Sequence, residues 1–211
     1  MTDPEIGFLI SDFCALIPVA AGVYFFKRLQ TDRKILLCLF IYNATVELTN
    51  AWLAFHHKNN VWSINIYMLA EYSVFVFIFN MWSKEIFARW LSLIGSVIFY
   101  ALWIGYFIIH KTIAENNAPA GFAESIVLML LSGFVLTTLS LKTNTPVFKN
   151  YRFWFAGAAF IYSSVNILLN YILELISLDT SSYDKDIWTI HTIINIALYF
   201  PFTYAFIMRE E

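Results

Sequence analysis

Residues 61–82, VWSINIYMLAEYSVFVFIFNMW, contain a single charged side chain, Glu71, in an otherwise apolar and aromatic run. Such a run is long enough as a helix to cross the roughly 30 Å of hydrocarbon in a bilayer. Working outward with a window of about 19 residues, further apolar stretches fall at Ile6–Phe26, Ile35–Phe55, Trp90–Ile109, Ser125–Leu141, Phe153–Ile176 and Ile187–Met208. Together they predict an all-α bundle of seven transmembrane helices, forming one domain over residues 1–211.

The composition agrees. Of 211 residues, 60% are hydrophobic and 13% charged, whereas soluble domains are about 45–50% apolar; the mean hydropathy is +0.66. Seven spans of about 21 residues use about 147 positions and leave about 64 for loops and tails. No soluble kinase, nuclease or ATP-driven motor fits in that remainder. The net charge of −2 offers no basic face to nucleic acid. Cys14 and Cys38 lie in apolar runs without CxxC spacing, so they read as small apolar side chains. Asp3 and Glu5 stand where a cleaved signal peptide has a positive region, so the first stretch is expected to remain as a helix.

Charge asymmetry sets the orientation. The first, third and fifth connections hold Lys27, Arg28, Arg33, Lys34, Lys84, Arg89, Lys142, Lys149 and Arg152, and Arg209 follows the last helix; the other side has only Lys58, Lys111 and Lys185. The positive-inside rule then puts the N-terminus outside and the C-terminus in the cytoplasm, as a multi-pass protein of the cell (cytoplasmic or inner) membrane. Trp52, Trp62 and Trp188 are expected at the outer headgroup level and Trp82, Trp90 and Trp154 at the inner one. Pro18 and Pro201 each remove a backbone donor within a helix and should bend it. Gly95, Gly105 and Gly133 read as close-packing positions.

An internal repeat is suggested by Phe40-Ile41-Tyr42, which recurs as Phe160-Ile161-Tyr162, with Asn50 and Asn170 following at equal distance. Continuing that register puts Glu71 opposite Asn195. Two parallel three-helix units joined by the fourth helix would result.

Ionisable groups at mid-bilayer depth cost roughly 2.5–3.5 kcal/mol each and need a reason. Glu47 and Glu71 fall near the centres of adjacent antiparallel helices, hence at about the same depth. Asn43, Glu47 and Asn50 form one helical face; Ser163, Asn166, Asn170 and Glu174 form another, and His191, Asn195 and Tyr199 a third. Such faces should turn toward one another. Asp12, Asn50, Asn170, Glu174 and His191 lie in the outer halves of their helices, so the interior is expected to open outward. With no Lys or Arg deep in a span, the two acids are expected to be protonated, to share a proton or to bind a cation. The alternative role for all of them is interhelical hydrogen bonding, at around 0.6–2 kcal/mol each. The candidate ligand-binding set is Glu47, Glu71, Asn43, Asn50, Asn166, Asn170, His191, Asn195, Tyr67 and Tyr162.

Other chemistry has little support in the residues. The four histidines show no HxxxH pair, so no metal site is expected. There is no phosphate loop, no GxSxG, no lysine in the last helix for a retinal Schiff base and no facing histidine pair for haem. No cofactor is expected.

The segments 65–72 (NIYMLAEY), 153–162 (FWFAGAAFIY) and 187–196 (IWTIHTIINI) resemble a family of small, uncharacterised seven-helix bacterial membrane proteins. That resemblance implies a recurring pattern of Glu71, Tyr162, Trp188, His191 and Asn195, and no activity. Length and topology also resemble the small sugar carriers of three-plus-one-plus-three build, although their Pro-Gln signature is missing.

Three functions compete. A carrier would bind or transport a small polar or cationic solute, or protons, at Glu47 and Glu71. A receptor-like sensor would pass a helix shift to a separate cytoplasmic partner docked on Thr31–Lys34 or Lys142–Arg152. An integral-membrane lipid hydrolase would use the two acids as an acid/base pair. A catalytic role is the less expected.

Overall fold

The structure, a computed structural model, describes residues 13–142, 146–177 and 184–209; within them the side chains of 172–177, 184–188 and 191 are outside the description. Among the described residues the chain forms seven α-helices and no strand: α1 Leu16–Tyr24, α2 Thr31–Phe55, α3 Val61–Trp82, α4 Ile86–His110, α5 Ala118–Lys142, α6 Tyr151–Ser177 and α7 Asp184–Ile207. Short 3-10 turns at Phe26–Arg28 and Val147–Lys149 bridge α1 to α2 and α5 to α6. Five of these segments, α2 to α5 and residues Tyr151–Tyr171 of α6, are long and apolar enough to cross a membrane.

Boundaries differ from the hydropathy reading in instructive places. Helix α5 begins at Ala118, not Ser125, because Asn117 caps it: its side-chain oxygen accepts the Ala120 amide at 3.2 Å. Pro119 follows in the first turn, where a missing N–H costs nothing. The long loop expected from His110 to Glu124 therefore shrinks to residues 111–117, and Glu124 joins the helix. Helix α4 likewise starts at Ile86 instead of Trp90. Between helical residues 13–14 and α1 a turn at Ala15 interrupts the helix three residues ahead of Pro18. Pro201 does lie inside α7.

Helices α1, α2, α3, α5, α6 and α7 pack in that cyclic order, with α1 returning to α7. Helix α4 stands outside this ring, against α5 and α3. Only 17% of its most apolar stretch is buried, against 33–44% in the other four candidate spans. It is fastened by Tyr72 stacked on Phe99 at 4.0 Å and by Ser92 donating to Asn80 at 3.0 Å. Gly95 lies so close to α5 that a Cβ there would meet Val127 methyl carbons at 2.7 and 2.8 Å. Gly133 is less tightly held, a Cβ there lying 3.3 Å from the Phe160 ring, whereas nothing lies within 4 Å of a Cβ at Gly105, which is not a packing glycine.

Buried positions repeat between halves of the ring. Leu36, Leu37, Leu39, Phe40 and Ala44 of α2 match Phe155, Ala156, Ala158, Ala159 and Ser163 of α6 in spacing and burial. Tyr72, Phe75, Ile78 and Phe79 of α3 match Tyr199, Phe202, Ala205 and Phe206 of α7. This register aligns Phe40 with Ala159 rather than with Phe160, which is 39% exposed where Phe40 is 6% exposed. Likewise it aligns Glu71 with Leu198, not Asn195.

One end of the bundle is basic and knotted. The Asp32 carboxylate accepts the Trp82 indole N–H and the Tyr151 hydroxyl, each at 2.6 Å, joining α2, α3 and α6. Trp82, expected at the inner headgroup level, is half-buried and donates within the bundle. Arg33 lies over the Tyr151 ring at 4.3 Å and donates to the Met208 carbonyl at 2.9 Å, adding α7. Beneath this knot Phe40, Phe155, Phe202 and Phe206 form an aromatic layer with centroids 4.8–6.4 Å apart. At the opposite end, residues 111–117 are strapped to α3 and its approach: Asn65 donates to the Ile113 and Glu115 carbonyls at 2.8 and 2.7 Å, and Asn59 to Ala114 at 2.9 Å.

Asp32→Ala strands two buried donors, each costing about 1–3 kcal/mol. A clear fall in the melting temperature of the detergent-solubilised protein is expected, with a smaller fall for Asp32→Asn; unchanged melting of Asp32→Ala would count against the knot. In the same assay Gly95→Leu should lose about 1–3 kcal/mol through overpacking against Val127, while Gly105→Ala should be neutral.

Candidate functional site

Side chains from five helices converge in the half of the bundle away from the basic end. Glu71, buried near the middle of α3, accepts a hydrogen bond from the Tyr67 hydroxyl one turn earlier. Glu47 of α2 and Glu124 of α5 are both close enough to act on its charge. Tyr162 of α6 and Tyr199 of α7 complete the group around Tyr67. Tyr162 is also hydrogen-bonded to Asn166, one turn along its own helix. The convergence follows from the local sequence. Tyr67 and Glu71 are spaced by four on α3, as Asn43 and Glu47 are on α2 and Tyr162 and Asn166 on α6, so each helix presents two polar groups on one face.

Not all of the expected residues join. Asn43 is buried on α2 one turn from Glu47. Asn50 accepts a hydrogen bond from Ser63 of α3 and so ties α2 to α3 nearer the strapped end. The Asn170 amide nitrogen lies 3.7 Å from the Cβ position of Gly121, which places it against α5. Asn195 is half-buried on α7 and has a partner. His191 belongs to α7, but its side chain is outside the description, as are Asp12 and the side chains of Glu174 and Trp188.

Glu124 is the residue that sequence reasoning missed. It is buried, and its Oε1 has no hydrogen-bond partner among the described residues. The hydropathy window began one residue after it, and so assigned it to a loop. The signal that could have recovered it is the Asn117-Ala118-Pro119 cap, which starts the helix about two turns earlier.

Glu71, Glu124 and Asn43 are each 8–9% exposed, while Glu47 is half-buried. Three carboxyl groups close together and away from water repel one another. Chemically, a shared proton or a bound cation relieves this arrangement, and the three tyrosine hydroxyls and the amides can supply neutral oxygen ligands or donors.

Comparison with protein families, with characterised proteins and with solved structures returned no match. That outcome agrees with the resemblance to an uncharacterised family, and the function has to be argued from the cluster itself.

Tyr67→Phe removes the donor to Glu71 and should cost about 0.5–1.5 kcal/mol, read as a lowered melting temperature in detergent. Phe replacing Tyr67 without any change in melting would mean that this hydrogen bond does not hold the cluster.

Proposed function

We propose that this chain is a seven-span protein of the bacterial cytoplasmic membrane, with its N-terminus outside and its C-terminus inside, that carries protons or a small polar or cationic solute through the Glu47, Glu71 and Glu124 cluster. The observation that carries the proposal is the approach of Glu124 to Glu71 from a different helix, with one Glu124 oxygen unpartnered among the described residues. Interhelical hydrogen bonding alone would leave each acid with a donor. A carboxyl group facing another carboxyl instead offers acceptors that only a proton or a cation satisfies.

Orientation rests on the basic end, where Arg28, Arg33, Lys84, Arg89, Lys142, Arg152 and Arg209 gather. Two parallel three-helix units are supported by the cyclic packing, in which α3 meets α5 as α7 meets α1, and by the matched buried positions. The extra helix α4 then restores direction between them. In this arrangement the aromatic layer and the Asp32 knot close the cytoplasmic side, and transport requires them to part.

The sensor reading has less support. Its expected docking segment Thr31–Lys34 contains Asp32 and Arg33, which are 4% and 2% exposed and already engaged within the bundle. A lipid hydrolase would need a nucleophile or metal beside the acids, and the groups gathered around Glu71 are acids, phenols and amides.

Purified protein in pyranine-loaded liposomes, clamped with potassium and valinomycin, tests the carrier directly. Wild type should move protons, alone or on addition of one member of a panel of organic and inorganic cations. Glu71→Gln with Glu124→Gln should abolish this flux, while the exposed variant Lys58→Gln should not. Equal flux in the double variant and wild type would exclude the cluster as the pathway.

A further inference from the structure

Two helical stripes run side by side from the strapped end to the acids. On α3, Asn65, Met68 and Glu71 follow at intervals of three; on α5, Asn117, Gly121 and Glu124 follow at four and three, so each set lies on one side of its helix. Helices α3 and α5 pack together, and the stripes meet at two levels. A Cβ on Gly121 would lie 3.5 Å from the Met68 Cε, and one turn deeper Glu71 acts on the charge of Glu124. Asn65 and Asn117, each 3% exposed, stand at the strapped end of this seam. From either asparagine to the acid on its helix is about 9–11 Å along the axis.

The open polar atoms of the seam are acceptors. Both amide hydrogens of Asn65 are taken by the Ile113 and Glu115 carbonyls, at 2.8 and 2.7 Å, and its backbone carbonyl accepts the Trp103 indole at 3.2 Å. Its Oδ1 is buried without a hydrogen-bond partner among the described residues, as is Glu124 Oε1. A buried acceptor that lacks a donor is costly, and here one stands at the residue level on either side of Met68. A ligand that brings donors and positive charge satisfies both; an anion or an acceptor-only solute satisfies neither. The level between them is suited to movement. Met68 is unbranched and turns about three bonds. Packing does not demand the glycine opposite, since a Cβ at residue 121 would make only ordinary contacts, at 3.5 Å to Met68 and 3.7 Å to Asn170. Glycine inside a helix costs about 1 kcal/mol against alanine, and what it provides at this level is room for Met68 to swing.

We propose that the α3–α5 seam admits a hydrogen-bond-donating cation, hydronium or a small ammonium, from the strapped end to Glu124, with Asn65 Oδ1 as its first acceptor and Met68 as the gate over Gly121. The inference rests on the carrier reading for its purpose, and deepens it by naming the class of cargo and its point of entry.

The test reads access to the seam instead of flux. The full chain with Cys14→Ser, Cys38→Ser and Gly121→Cys, held in lipid nanodiscs, is treated with cationic aminoethyl methanethiosulfonate or anionic sulfonatoethyl methanethiosulfonate. Adduct formation is followed by intact mass, and each rate is divided by that of the same reagent with mercaptoethanol. The cationic reagent should then react about tenfold or more faster than the anionic one, and adding Met68→Ala should raise the cationic rate several-fold. Ser125→Cys, an isosteric change one turn further along α5, is the second reporter where Gly121→Cys lowers the melting temperature. No reaction with the cation, no preference for it over the anion, or a rate indifferent to Met68→Ala overturns the proposal. The two readings fail separately. Proton flux that needs Glu71 and Glu124, beside an unreactive seam, keeps the carrier and removes this entry route; a cation-selective seam beside flux that ignores the two acids keeps the seam as a cation site and removes the carrier.

Discussion

The Asp32 carboxylate is the constraint on which the basic half of the bundle depends. One oxygen receives both the Trp82 indole and the Tyr151 hydroxyl, so the start of α2, the end of α3 and the start of α6 are fixed at a common depth. A buried carboxylate has no low-cost alternative to its donors in a low-dielectric surrounding. The three helix ends therefore cannot slide past one another without breaking a charge-assisted bond. Arg33 extends the same fixation to the end of α7 through Met208. With depth set there, the Phe40, Phe155, Phe202 and Phe206 rings meet edge to face or tilted in one layer just beneath.

That layer decides where polar groups can gather. Below the knot the interior is filled by aromatic side chains, so the acids and amides are confined to the other half of the same helices. Glu71 sits a single helical turn beyond Phe75 on α3, and Tyr199 just before Phe202 on α7. The switch from rings to oxygens thus occurs at matching levels on two helices that occupy corresponding places in the packing order. The bundle has an aromatic half and an oxygen-lined half.

Much of this was legible in the sequence, and the failures have physical causes. Hydropathy located the long apolar helices, because burial in lipid demands apolar residues all round. It misplaced the start of α5, since an averaging window penalises a helical turn that contains Glu124 and ignores the cap that begins it. The convergence of Tyr67, Glu71 and Tyr162 followed from side chains spaced by four. The engagement of Asn50 with Ser63 did not, because periodicity gives a face but not the neighbour on that face. Trp82 was read as a headgroup anchor on type and position alone; its actual partner, Asp32, is fifty residues away in sequence and visible only when the helices are assembled.

The matched register sharpens the argument about the cluster. It places Glu47 opposite Asn166, and Glu71 opposite Leu198, in otherwise similar surroundings. If two ancestral units once carried the same residues, one has kept or gained acids where the other has an amide and an aliphatic side chain. A structural role shared by both units would favour the same residue in each, since the packing demands are the same. Departure from symmetry at the polar positions, with symmetry retained at Phe75 and Phe79 against Phe202 and Phe206, separates the residues that hold the bundle together from those that give its interior a chemical direction. Three acids drawn from α2, α3 and α5, facing phenols and an amide from α6 and α7, supply that direction.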